Sequence, residues 1–188
     1  MKSNTTFGKY IAPIIVLVGI CLVISAALAL TYGVAAPRIE ARAIEDANAA
    51  RQKVLPAADS FSAFDGDLWV SEDGKVEVTD VQVADNGSGI VVTVKTTSFG
   101  GKLTEMVGID TSGTITGVEV TEHADTPGVG TKAMTEEHLG SYSGVKELTD
   151  VSAKKMSMHV SGASVSSNGI HYGIYGALQQ FAQMGGAN

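Results

Sequence analysis

The residues best able to do chemistry lie in two short segments rich in glycine and hydroxyl groups. The first, residues 123–132 (HADTPGVGTK), separates a β-type run from a predicted short helix. Pro127 fixes one backbone angle, while Gly128 and Gly130 permit positive φ. Such a loop can bring backbone amides close to a planar ligand, although an ordinary Pro-Gly turn has the same composition.

The second segment, residues 160–168 (VSGASVSSN), lies where a predicted strand meets the last predicted helix. Its small residues and hydroxyl groups would stand at the helix N-terminus. Free N–H groups and the positive end of the helix dipole favour an anion such as phosphate there. Serine N-capping would explain the same residues, and composition alone leaves both interpretations open.

Catalytic and metal-binding patterns are absent from the rest of the sequence. There is no HExxH, no GxSxG and no phosphate-binding loop, and no metal-ligand spacing relates His123, His138, His159 and His171. We expect each histidine to be a surface or internally hydrogen-bonded residue. Cys21 is the single cysteine, so this chain alone cannot form a disulfide, a thiolate zinc site or an iron–sulfur cluster. We predict no catalytic residue and no metal site.

The charge balance argues against a nucleic-acid partner. The 188 residues include 20 acidic and 13 basic side chains, which give a formal net charge of −7. From residue 35 onward the net charge is −9, from 20 acidic and 11 basic side chains. Phosphate neutralisation needs a basic face, which this composition does not provide.

An apolar segment near the N-terminus raises the mean hydropathy to +0.16. Residues 11–30 (IAPIIVLVGICLVISAALAL) contain no charged residue and are long enough to cross about 30 Å of hydrocarbon. Signal peptides have shorter apolar stretches, of roughly 7–15 residues, and Pro37 follows the candidate cleavage site. We therefore predict an uncleaved single-pass anchor over residues 11–34, preceded by a stub of residues 1–10.

The next segment, residues 35–58, is predicted to be a stalk. A helix over 37–55 would begin at Pro37, a residue tolerated at the first helical position. The segment is rich in Ala, Glu and Arg, which form helices readily. Its apolar stripe is weak, so we expect a solvated linker helix.

Residues 59–188 are predicted to form one domain of the α+β class. Alternating and β-branched runs predict strands at 76–78, 81–83, 90–96, 103–109, 115–121 and 156–160. A short helix is predicted over 134–139 with Thr135 as its N-cap, and a longer one over 164–184. Because strands outnumber helices without regular alternation, an antiparallel sheet with flanking helices fits best.

Taken together, the apolar segment and the two glycine-rich segments resemble the Rnf complex G subunit. Its FMN-binding domain also occurs in the C subunit of the sodium-pumping NADH:quinone oxidoreductase. The family pattern GID-x-x-G-x-ITGV-x-V-x-x-H-x-ETPGLG is followed by residues 108–130, with Asp125 replacing Glu and Val129 replacing Leu. A second pattern, D-x-x-[ST]-G-A-[TS], is matched by residues 161–164. The resemblance covers nearly the whole chain.

This resemblance implies an electron-transfer subunit of a membrane complex that couples ferredoxin and NAD redox chemistry to Na⁺ or H⁺ translocation. The complex, rather than this chain alone, would be the enzyme. In the family, the last residue of the second motif carries FMN through a phosphoester, and that residue is Ser164 here. The other residues implied to bind FMN are Ser161, Gly162, Ala163, Val165, His123, Asp125, Thr126, Pro127, Gly128, Val129, Gly130 and Lys132.

The resemblance also implies partners and a location. The partners are the other membrane and peripheral subunits of an Rnf-type complex, and a flavin transferase for maturation. The location is the cell (inner) membrane, with the domain on the extracytoplasmic side. Met158 stands where the second motif begins with Asp, a residue that belongs to the pattern read by the transferase. The alternative is therefore a structural or assembly subunit of the same complex without covalent flavin.

Overall fold

The computed structural model describes residues 11–148, 153 and 157–186, apart from the side chains of residues 12, 34 and 40. The predicted stub over residues 1–10 lies outside them. Backbone proximity divides the chain into two compact units, Met1–Ala47 and Asn48–Asn188. This division falls inside the first helix, and the predicted bounds of anchor, stalk and domain stay predictions.

The first helix, α1, runs without interruption from Ala12 to Val54. The prediction of a helix over 37–55 is confirmed as far as Val54, but its start at Pro37 is wrong, because Pro37 lies inside α1. An interior proline removes one hydrogen bond at a cost of about 3 kcal/mol, but the residues around it form helices readily enough to continue. An 18-residue window of this helix has a mean hydropathy of 2.9, so the helix is long and apolar enough to cross a membrane.

A five-stranded antiparallel sheet follows, with its strands adjacent in chain order. The strands are β1 (Phe61–Ala63), β2 (Glu77–Ala84), β3 (Gly89–Ser98), β4 (Gly101–Asp110) and β5 (Ile115–His123). The predictions at 90–96, 103–109 and 115–121 are confirmed as β3, β4 and β5. The two runs at 76–78 and 81–83 belong to one strand, β2, which has a register shift between Val78 and Asp80. Strand β1 was not predicted.

Three helical elements complete the described part of the chain after the sheet. They are a 3-10 helix (Gly130–Met134), α2 (Glu136–Gly140) and α3 (Ser164–Gln183). Thr135 is confirmed as the N-cap of α2, since its Oγ1 accepts the backbone N–H of His138 at 3.4 Å.

The predicted strand at 156–160 is wrong for residues 158–160, which form no strand, and Met156 lies outside the described residues. The backbone there makes local hydrogen bonds instead. The Val160 N–H donates to Ser167 Oγ at 2.9 Å, and the Met158 N–H donates to the Ala153 carbonyl at 2.8 Å. These bonds satisfy the donors that a neighbouring strand would otherwise have to pair.

One face of the sheet carries the main hydrophobic core. Helix α3 packs across β2, β3 and β4. Its Ile170 and Ile174 meet Ile90, Val92 and Val107 of the sheet, and all five are fully buried. Because side chains alternate along a strand, these sheet residues occupy every second position of β3 and β4.

The opposite face of the sheet is covered by the C-terminal end of α1. Val54 and Leu55 are only 1% exposed. Gly108 and Gly117 pair in register under Val54, and a Cβ on Gly108 would overlap the Val54 carbonyl. Thr116 Oγ1 donates a hydrogen bond to that same carbonyl. The expectation of a solvated stalk is therefore wrong for the last residues of the helix, which are built into the domain.

A small polar cluster lies inside the core between β4 and α3. Glu105 is fully buried, and neither carboxyl oxygen has a hydrogen-bond partner among the described residues. Its carboxyl group faces Gly173 of α3, where a Cβ would overlap Oε1. Burial raises the pKa of Glu105 well above its usual range, which favours the neutral acid. Nearby, the Tyr142 hydroxyl and His171 Nδ1 are 3.0 Å apart.

We expect Glu105→Gln to remove a pH dependence of stability. Because the folded-state pKa is raised, the unfolded chain loses its proton first, and the wild-type protein loses stability as pH rises above about 4.3. From about pH 4.3 up to the folded-state pKa, the free energy of unfolding of the wild-type protein should fall relative to that of the variant. The fall should be up to about 1.4 kcal/mol per pH unit. Urea unfolding followed by Trp69 fluorescence at several pH values measures this.

The matched control is Glu77→Gln, which changes an exposed glutamate at the start of β2. The difference in free energy of unfolding between this variant and the wild-type protein should stay nearly constant with pH. Parallel pH profiles for wild type and Glu105→Gln would contradict the assignment of a neutral, buried Glu105.

Candidate functional site

The two glycine-rich segments meet at a cavity of about 290 Å³. Three elements build its walls. Phe99 comes from the β3–β4 turn, Val129 and Gly130 come from the 123–132 loop, and residues 162–166 come from the start of α3. The loop reaches this point because it leaves the end of β5 and turns directly into the 3-10 helix. Residues more than 60 positions apart thus share one site.

A buried carboxylate holds these three elements together. Asp125 is 5% exposed, and its Oδ1 accepts the Gly100 N–H at 2.7 Å and the Ser166 hydroxyl at 3.2 Å. Gly130 packs directly against the same carboxylate. The second oxygen, Oδ2, is buried without a partner among the described residues. Asp125 therefore lies behind the cavity wall as its support.

The N-terminal end of α3 carries no side-chain cap. Its N-cap residue is Ala163, whose methyl group cannot accept a hydrogen bond. The serine N-capping considered as an alternative is therefore not found at this end. Ser164 is the first helical residue and is exposed, so its hydroxyl is accessible. Uncapped N–H groups at a helix N-terminus stabilise a negatively charged group placed there.

One cation stands beside this helix end. Lys132 Nζ is 4.0 Å from the point that a Cβ on Gly162 would occupy. Gly162 has a φ of +81°, a conformation that glycine adopts at low cost. None of the side chains that line the cavity is acidic. The site thus combines a positive polar end with an apolar side formed by Phe99 and Val129.

The structure brings together part of the predicted set of residues. Those that line the cavity are Val129, Gly130, Gly162, Ala163, Ser164 and Val165. Those that do not line it are His123, Asp125, Thr126, Pro127, Gly128, Lys132 and Ser161. The second group includes the buried support Asp125, while the other six are exposed.

Sequence reasoning missed Phe99, which lines the cavity and is 64% exposed. It sits in the two-residue turn between β3 and β4, immediately before Gly100 and Gly101. An aromatic residue next to two glycines between β-branched runs is a signal that could have identified it.

For the metal prediction, the described residues contain no group of three or more His, Cys, Asp or Glu able to hold an ion.

We expect Asp125→Ala to destabilise the domain by about 1–3 kcal/mol, because the variant leaves the buried Ser166 hydroxyl without its acceptor and removes the bond to the Gly100 N–H. Denaturant unfolding of the full-length protein in detergent measures the change. Thr126→Ala, at the exposed neighbouring position, is the matched control and should stay within about 0.5 kcal/mol of wild type. Equal stabilities of the two variants would show that Asp125 does not support the site.

Comparisons with known proteins identify the domain that contains this cavity. A family model described as FMN-binding domain matches residues 98–179, which include Phe99 and both glycine-rich segments. The G subunit of the Na(+)-translocating ferredoxin:NAD(+) oxidoreductase complex of Acetobacterium woodii is 30% identical over 187 residues, which cover 90% of each chain. The G subunit of the ion-translocating oxidoreductase complex of Methanosarcina acetivorans is 30% identical over 172 residues, which cover 88% of this chain and 90% of that one.

Among solved structures, the crystal structure of Shewanella oneidensis NqrC aligns with a TM-score of 0.45 and 22% identity. The alignment covers 56% of this chain and 58% of that chain. The family assignment depends on the sequence relatives, which extend over nearly the full length. The chain therefore belongs to the family of G subunits of Rnf-type ion-translocating oxidoreductase complexes, and its globular part contains an FMN-binding domain.

Proposed function

We propose that this chain is the electron-transfer subunit of a membrane complex that couples ferredoxin and NAD redox chemistry to Na⁺ or H⁺ translocation. It carries FMN in phosphoester linkage to Ser164. The observation that carries the proposal is the cavity in which both motif segments meet, with the exposed Ser164 on its wall at the uncapped end of α3. FMN, when bound, supplies the one- and two-electron redox chemistry, while the protein supplies attachment, position and electrostatics.

The residues present fit the phosphate of such a group. The N–H groups at the start of α3 would donate hydrogen bonds to the phosphate oxygens, and Lys132 would add a nearby positive charge. Ser164 provides the hydroxyl oxygen for the ester bond. Forming that ester requires an activated FMN donor, whose leaving group departs as the Oγ–P bond forms, so maturation includes a flavin transferase.

The cavity also fits an apolar, planar group. Phe99, Val129 and Val165 are 64%, 44% and 54% exposed, so each presents apolar surface around Ser164. A volume of about 290 Å³ lies just below the range for ligand pockets, which is roughly 300–1,000 Å³. We infer that these side chains flank the flavin and that part of it remains accessible for electron exchange with partner subunits.

We propose that the chain lies in the cell (inner) membrane, with its domain on the extracytoplasmic side as the family resemblance implies. The membrane location is supported by α1, whose apolar part contains no charged residue from 11 to 34, and by the subunit names of the relatives. The absence of charge in this segment indicates that α1 is an anchor and no ion path. The partners are then the other membrane and peripheral subunits of the complex.

Ser164→Ala should abolish flavin that survives denaturation while leaving the domain folded, because the exposed hydroxyl has no structural partner among the described residues. In-gel fluorescence of the full-length protein, purified from membranes that contain the transferase, measures the flavin that survives denaturation. Peptide mass mapping tests whether that flavin is attached at residue 164. Ser164→Thr keeps a hydroxyl and should retain the fluorescent band. A fluorescent Ser164→Ala band would place the attachment elsewhere.

The second candidate function is a structural or assembly subunit without covalent flavin. The observation in its favour is Met158, which occupies the position of the motif Asp and packs as a partly buried side chain against the core. A transferase that reads a carboxylate there would find an apolar side chain.

We expect Met158→Asp to raise the flavin-bearing fraction when the transferase is co-expressed. The reason is that the variant restores the negative charge of the motif. Met158→Asn is the matched control, since asparagine has nearly the same shape as aspartate but carries no charge. In-gel fluorescence normalised to protein measures both. Equal fractions for the two variants would show that a carboxylate at residue 158 is dispensable in this protein.

A further inference from the structure

His138 bridges two backbone carbonyl groups. Its Nδ1 is 2.6 Å from the Ala133 carbonyl oxygen, and its Nε2 is 2.6 Å from the Met158 carbonyl oxygen. Both distances are short for hydrogen bonds between nitrogen and oxygen. A carbonyl oxygen can only accept, so each ring nitrogen has to donate.

Only one form of the ring can meet this requirement. A neutral imidazole has one N–H group and one bare nitrogen, whereas the imidazolium has two N–H groups. With a neutral ring, a nitrogen lone pair would face a carbonyl oxygen at 2.6 Å. The geometry therefore calls for the protonated ring, and hydrogen bonds from a charged donor are stronger and shorter than neutral ones.

The two carbonyl groups lie next to the two segments of the candidate flavin site, one just after the first segment and one just before the second. Ala133 follows Lys132 directly in the 3-10 helix that closes the first segment. Met158 precedes the motif 161–164, and the intervening Val160 is bonded to Ser167 of α3. His138 thus joins the far ends of both segments, away from the cavity wall, on the short helix α2.

Among the described residues, no carboxylate forms an ion pair with the His138 ring. The edge of Tyr142, from the turn after α2, meets the ring with centroids 5.7 Å apart. Glu137 of α2 and His159 of the 157–160 segment line the same groove as His138. Glu137 forms no ion pair with His138 within 4.0 Å, and His159 Nδ1 has no hydrogen-bond partner in the described part of the chain. The two carbonyl oxygens are therefore the main acceptors for this charge.

We infer that His138, as an imidazolium, is a positioning residue that clamps the Ala133 and Met158 carbonyls and so holds both flavin-site segments in register. Loss of either bond frees the segment that leads to Ser164. A loosened segment presents Ser164 less often to the flavin transferase, so less flavin becomes attached. This consequence for flavin rests on the proposed function, whereas the clamp itself does not.

The first test reads the protonation state of the ring directly. The full-length protein with ¹⁵N-labelled histidine is studied in detergent micelles by ¹H–¹⁵N correlation through two bonds, and His138→Gln assigns the signal. Two protonated ring nitrogens at pH 7 are expected. A neutral ring at pH 7 in the folded wild-type protein would overturn the inference, and this measurement does not depend on flavin.

The second test measures the clamp itself by hydrogen exchange at pH 7. A glutamine amide has its donors on one nitrogen and cannot span both carbonyls. His138→Gln should raise amide exchange in residues 130–134 and 157–163 by at least about tenfold, with little change in β3 and β4. The matched control is His159→Gln, which removes an imidazole from the same segment. Equal exchange in the two variants would overturn the inference.

Flavin content in the same samples separates this inference from the proposed function. His138→Gln should carry less covalently attached flavin than His159→Gln, and equal flavin content in the two variants would overturn the role of the clamp in the site. A flavin-free wild-type protein would contradict the proposed function, while ring protonation and exchange would still decide the clamp.

Discussion

The buried carboxylate of Asp125 is the constraint on which the site depends. A β-turn, a loop and a helix start are each able to adopt several arrangements by themselves, and none of them forms a cavity alone. Oδ1 joins the Gly100 amide of the turn to the Ser166 hydroxyl of α3, and the loop supplies the carboxylate. Because an unpaired buried acceptor or donor is costly, the three elements can satisfy these groups only in one mutual position.

The sheet provides the rigid base for this arrangement because it is covered on both faces. Helix α3 packs on one face, and the end of α1 packs on the other through the close approach of Val54 to Gly108 and Gly117. The last residues of the helix that contains the apolar segment therefore belong to the domain. His138 adds a second constraint at the far side of the site, where charge-assisted bonds hold segments that have little regular secondary structure.

Much of the fold was predictable because its local patterns are strong. Strand β3 has a nearly continuous β-branched run, β4 and β5 have several β-branched residues between clear turns, and α3 has regular apolar spacing. The predictions failed where contacts between residues far apart in the sequence determine the secondary structure. Residues 158–160 form no strand, and the Val160 N–H bonds to Ser167 of α3 instead. The start of a stalk helix at Pro37 is overridden by good helix formers on both sides. The local conformational preferences of a short apolar segment and of a single proline are too weak to determine the secondary structure.

The sequence by itself determined the α+β class, the apolar helix and the two motif segments, since composition, periodicity and motif spacing are properties of neighbouring residues. Only the tertiary structure decided which motif residues share the cavity. It brought in Phe99 from a turn without a motif, placed Asp125 behind the wall, and left Ala163 as a helix N-cap without a side-chain acceptor. It also made His138 a bridge between two carbonyls. The reason is physical: burial and hydrogen-bond geometry depend on distances between residues far apart in the chain, and no local pattern encodes those distances.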